Sequence, residues 1–163
     1  MRKAFSYKIL GIPVIPTAVG SFILLSTMFM WYGSFFKDLF QPLMGITEEQ
    51  VDAESLGIWY PMGFLFCGIQ GIGIATLLKW RGWPNPLIAA RTGATAAILL
   101  GAMVFTYPLV ILPAHSITLF LINASGLIVA WTLAAVTISL LLPRSTKTNN
   151  RRESSHGVNQ TSK

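Results

Sequence analysis

Two amide side chains, Gln70 and Asn123, stand within long apolar runs of this chain, and the Ser125 hydroxyl lies two residues beyond the second. Amides and hydroxyls exchange hydrogen bonds without carrying charge, so the three together could line a narrow polar path for a solute. Each could equally hold a neighbouring helix, a contact worth about 1 kcal/mol in lipid. Trp131 offers a flat face that could stack on a ligand or fill space beside small residues. His115 and His156 have no Cys or carboxylate at ligand spacing, so neither a metal nor another cofactor is expected. Gly-rich phosphate loops, nucleophile elbows and HExxH motifs are also missing, which argues against a membrane enzyme.

The solvent for these residues follows from the charges. Only 11% of the 163 residues are charged while 53% are hydrophobic, and a soluble average has more than twice that share of charge. From Thr92 to Pro143 there is no Lys, Arg, Asp or Glu. A segment that long without charge needs lipid around it. The net charge of +6 comes from basic residues at the ends of apolar runs and in the tail, a placement that suits membrane orientation and not nucleic acid. The one cysteine, Cys67, lies in an apolar run and excludes an intramolecular disulfide.

Hydropathy and length predict an all-α integral membrane bundle of four transmembrane helices, over about 14–36, 57–78, 87–112 and 117–142. The first run is too long for a signal-peptide core and has no Ala-x-Ala site after it, so it is expected to remain as a span. Trp31 and Tyr32 close this run, and Trp59 and Tyr60 open the next one on the same side. All four suit an interfacial belt. Between them lies an acidic loop carrying Asp38, Glu48, Glu49, Asp52 and Glu54 against Lys37. In that loop Gly45 is expected to cap a short helix, and Thr47 with Gln50 to open another. The loop reads as an elbow that re-enters the membrane, or as a flap for a partner or substrate. Pro84 and Pro86 make the middle connection short and stiff, and residues 144–163 form a basic tail that is expected to be disordered.

Basic segments alternate with non-basic ones at every crossing. Arg2, Lys3 and Lys8 precede span one, Lys79, Arg81 and Arg91 flank the middle connection, and the tail is basic again. The positive-inside rule then places both termini and the middle connection in the cytoplasm, in what is expected to be the plasma (cell inner) membrane, with the acidic loop outside.

Small residues recur at spacings of four on three of the spans. Cys67, Gly71 and Ala75 mark the second, Ala89, Gly93, Ala97 and Gly101 the third, and Gly126, Ala130 and Ala134 the fourth. In lipid such stripes let backbones approach closely. They suit a compact bundle, and a spare stripe suits a homodimer or contact with a membrane-protein partner. Phe64 to Ala75 can be laid on Leu119 to Ala130 with Gly71 on Gly126, as two duplicated helical hairpins in parallel orientation would allow.

Trp31-Tyr32, the run Leu43-Met44-Gly45-Ile46-Thr47-Glu48-Glu49 and the run Leu119 to Ala124 resemble a family of small four-helix integral membrane proteins, catalogued as domain of unknown function 1761. The resemblance extends over about residues 14–142 and implies a fold and a membrane location, with no activity attached. Asn123 stands where that family usually has Asp, and Gly126 and Leu127 replace a Tyr-His pair. The sequence therefore leads to a non-enzymatic structural or partner-binding membrane component, with the bilayer as its first partner. The alternative is a small transporter or channel subunit that uses Gln70, Asn123 and Ser125.

Overall fold

The computed structural model describes residues 7–45, 53–111 and 116–142, the first eight residues of the helix at 53–80 by backbone alone. Among the described residues the fold is all-α, apart from one very short hairpin. Strand β1 (Lys8–Ile9) pairs antiparallel with β2 (Ile12–Pro13), with Lys8 opposite Pro13. Then come α1 (Val14–Met30), extended by a π turn over Trp31–Phe35, α2 (Lys37–Met44), and α3 (Ala53–Trp80). Helix α4 (Pro86–Ala96) passes through a second π segment, Ala97–Ala102, into α5 (Met103–Ile111), and α6 (Ile117–Leu141) ends the described chain.

Among the described residues four helical stretches are long and apolar enough to cross a membrane: Val14–Phe35, Pro61–Trp80, Pro86–Ile111 and Ile117–Leu141. The chain is thus an integral membrane protein by length and composition, and the four predicted spans correspond to these stretches. Residues 46–52, the turn at His115 and the tail from 143 lie outside the described residues, as does the predicted helix start at Thr47.

Local chemistry explains most of the element ends. Gly45 terminates α2 at φ 67°, and its N–H reaches the carbonyls of Gln41 and Pro42, as the sequence predicts for a left-handed cap. Asn85 caps α4, its Oδ1 accepting from the Ile88 N–H at 3.0 Å, with Pro86 in the first turn. Ser116 does the same for α6 through the Leu119 N–H. Helix α3 stops in a Schellman arrangement, with Trp83 N–H on the Leu78 carbonyl and Gly82 N–H on that of Lys79, both at 2.9 Å. Trp83 itself sits at φ 57°, a costly conformation for a bulky residue. Its indole is held by packing on the core, and Ser139 Oγ donates to the adjacent Pro84 carbonyl at 2.6 Å.

Helix α6 is the hub. It packs extensively on α1 along one side and on α4 along another, while α3 leans mainly on α1. The core lies where these helices meet, around Leu24, Ile74, Leu78, Ala89, Ala130, Ala134 and Ile138. Contact between α3 and α4 is slight compared with that between α1 and α6. Two hairpins related by a parallel two-fold axis would make those contacts equivalent, so the packing lacks the symmetry that a duplication would impose. The π segment keeps span three on α6 as far as Gly101, and beyond it α5 touches α6 far less than α4 does. Only 11% of span three is buried against 44% of span four, which leaves the third span facing lipid.

The hairpin ahead of α1 is a feature that apolar patterning does not reveal. Leu10 and Gly11 turn it at φ 53° and 77°, the paired left-handed geometry of a tight two-residue turn. Lys79 Nζ donates to the Leu10 carbonyl at 2.7 Å and pins the hairpin to the end of α3. A Cβ on Gly11 would meet that ammonium at 2.9 Å. Gly11→Val is expected to weaken the docked hairpin by about 1–2 kcal/mol, measurable as faster amide hydrogen exchange at residues 8–13. Unchanged exchange would show that the turn tolerates a branched side chain.

Candidate functional site: two polar clasps on the central helix

Span one ends in consecutive aromatics, and on an α-helix neighbours in sequence point about 100° apart. Here the helix widens into a π turn, closed by the Phe36 N–H on the Trp31 carbonyl at 3.0 Å. Both side chains thereby reach α6. Trp31 Nε1 donates to the Ile122 carbonyl at 3.0 Å, and Tyr32 Oη donates to Asn123 Oδ1 at 3.0 Å. The Trp31 indole lies on the bare Cα of Gly126, where a Cβ would come within 2.7 Å of it. Phe36 and Phe40 complete the cluster, with ring centroids 5.0 Å from Trp31 and 4.5 Å from Tyr32. Beyond the interfacial-belt reading from their place near the end of span one, Trp31 and Tyr32 are half-buried and fastened to α6.

A second clasp lies eight residues further along α6, about 12 Å at 1.5 Å per residue. Trp131 Nε1 donates to Gln70 Oε1 of α3 at 2.8 Å. The indole N–H can only donate, so the amide must present its oxygen. Helix α4 also approaches Trp131 closely, since a Cβ on Gly93 would lie 2.6 Å from the Trp131 carbonyl oxygen. One residue thus joins three helices.

The structure does not bring Gln70, Asn123 and Ser125 together. Gln70 faces Trp131, Asn123 faces Tyr32, and the Ser125 hydroxyl bonds back to the carbonyls of Leu121 and Ile122 on its own helix. No buried side-chain nitrogen or oxygen among the described residues lacks a partner. The described residues also contain no group of three or more His, Cys, Asp or Glu that could hold a metal ion.

The small-residue stripes face neighbours within the chain. Gly71 abuts the Ser21 side chain of α1, and Gly93 abuts Trp131 and Ala135 of α6. Gly101 abuts Leu127, and Gly126 abuts Trp31. Ala75, Ala89, Ala97, Ala130 and Ala134 are fully buried, and Cys67 is nearly so. A second copy or another partner would therefore meet other surfaces. The roles of Trp31 and Tyr32 as donors to α6 could have been sought in their polar tips, because a Trp or Tyr half a turn from an interface can reach either headgroups or a neighbouring helix. Sequence offers no signal to choose between the two.

The Gln70–Trp131 bond makes a separable prediction. In a double-mutant cycle of Gln70→Leu and Trp131→Phe, the coupling energy is expected to be about 1 kcal/mol, read from detergent unfolding midpoints. Additive effects of the two substitutions would show that the bond contributes nothing.

The chain was compared with protein-family models, with curated proteins and with solved structures, and it matches none of them.

Proposed function

We propose that this chain is a non-enzymatic structural or partner-binding component of its membrane. The observation that carries this reading is that each deep amide is closed on an aromatic donor from a neighbouring helix. A transport path would need polar groups that are free to exchange partners with a solute, and here they serve as interhelical ties. The acidic loop is the docking surface in this reading, because the sequence gathers Asp38, Glu48, Glu49, Asp52 and Glu54 in one connection between spans.

The test is gentle detergent extraction of the tagged full chain, with copurifying proteins identified by mass spectrometry. A stoichiometric protein partner is expected, and it should be lost when Glu48, Glu49 and Asp52 are changed to their amides. A homogeneous homo-oligomer carrying a bound solute would overturn the reading in favour of a transporter.

Both termini are proposed to be cytoplasmic in the plasma membrane. In support, Lys8, Lys79, Arg81 and the start of α4 come to one end of the bundle, tied by the Lys79 bond to Leu10 and by Arg81 Nη1 donating to Thr92 Oγ1 at 3.0 Å. A cysteine at position 49, in a Cys67→Ala background, is expected to label from outside intact cells. Labelling only after permeabilisation would reverse the orientation.

Membership of the domain of unknown function 1761 family belongs to the same proposal. Its support is that two of the segments that carry the resemblance meet in space, Trp31-Tyr32 against Ile122-Asn123. The Asp usual in that family would also accept from Tyr32. Asn123→Asp is therefore the substitution this clasp should tolerate best.

A further inference from the structure

A cavity of about 560 Å³ opens between α1 and α3 beneath the hairpin, a size within the range of small-molecule sites. Its walls include Ala18 and Phe22 from α1, Phe64, Gly68 and Ile72 from α3, and its roof is Ile9 and Leu10. The two hydroxyls in the lining are already committed, Thr17 to the Pro13 carbonyl at 2.7 Å and Ser21 to the Thr17 carbonyl at 3.0 Å. Whatever enters therefore meets a lining that is almost wholly apolar, with the Cys67 thiol in it.

The mouth has the opposite character. Lys79 uses one ammonium hydrogen on the Leu10 carbonyl and keeps two. Lys8 stands exposed on the same hairpin. Asp38 lies beyond the far end of α1, about 33 Å away along a span of 22 residues. Lys79 thus places an ammonium against Leu10 of the cavity roof, at the bundle end where Lys8 and Arg81 also stand, which is how a headgroup and its chain are arranged in one leaflet.

We propose that this groove is a binding site for an anionic glycerophospholipid, with one acyl chain between α1 and α3 and the phosphate against Lys79. The site is independent of any protein partner. It requires only that the groove open into the leaflet that the basic end of the bundle faces.

The test uses the full chain reconstituted with equal amounts of phosphatidylglycerol and phosphatidylcholine of identical chains, followed by native mass spectrometry of the retained lipid. Wild type is expected to retain phosphatidylglycerol about fivefold over phosphatidylcholine. Lys79→Gln keeps a donor for the Leu10 carbonyl and should bring that ratio to about one, while Lys79→Arg restores it. Gly68→Leu should cut retention of both lipids, since a Cβ there meets nothing within 4 Å and the added side chain fills the cavity without moving a helix. Equal retention of the two lipids by wild type would overturn the proposal. So would an unchanged preference in Lys79→Gln, or undiminished retention in Gly68→Leu.

Discussion

Replacing Gly93 by Leu is expected to force α4 off α6 and to lower the unfolding free energy of the extracted protein by about 3 kcal/mol. The obstacle is helix backbone. Even a Cβ at this position would stand 2.6 Å from the Trp131 carbonyl oxygen and 2.9 Å from the Ala135 Cβ. A flexible side chain could swing aside, but a carbonyl within α6 cannot move without its helix. Ala97, fully buried on the same span, should respond in the same direction when enlarged to Leu. Gly73→Leu is the control, because a side chain there enters open space. All three can be ranked by unfolding midpoint in mixed micelles. A Gly93→Leu protein as stable as wild type would remove the α4–α6 seam from the account of this fold.

The second large effect is expected at Trp31. Trp31→Ala removes the indole that covers Gly126 and also the Nε1 bond to Ile122, and a loss of about 3 kcal/mol follows from truncating a large aromatic at a helix contact. Trp31→Phe retains a ring against Gly126 and forfeits only the hydrogen bond, so about 1 kcal/mol is expected. The contrast between the two substitutions is the informative quantity. An interfacial belt residue would leave the unfolding midpoint nearly unchanged in both variants, and that outcome would return Trp31 to the headgroup region. Because Tyr32 bonds to Asn123, the next residue of the same helix, Trp31→Ala and Tyr32→Phe should also be non-additive.

These effects follow from an arrangement in which one helix, α6, meets its neighbours through glycine, alanine and two tryptophans. In lipid there is little hydrophobic force between helices, so close approach and a few hydrogen bonds must provide the adhesion. Gly93 and Gly126 provide the approach, and Trp31, Tyr32 and Trp131 provide the donors. The exposed face of span three, with Leu99, Met103, Val104 and Val110 all outward, needs no such adhesion because lipid covers it.

Much of this protein can be read without coordinates, because the bilayer asks a question that each segment answers alone. Whether a run can cross depends on its own length and apolar content, and Val14–Phe35 through Ile117–Leu141 meet that test one by one. The helix stop at Gly45 is similarly local, since it needs only one residue that accepts a left-handed backbone. The partners of Gln70 and Asn123 depend on how far each helix is rotated and at what depth it meets the next, and neither quantity is present in a single segment. Two amides at the same composition cost could have shared one path; the π turn after Met30 and the bare Cα of Gly126 instead deliver Tyr32 to Asn123, while Trp131 takes Gln70. Apolar content and length, then, determined that the described residues hold four helices able to cross a membrane. The tertiary structure alone decided that Gln70 and Asn123 accept from aromatic donors, because only packing sets which side chains meet.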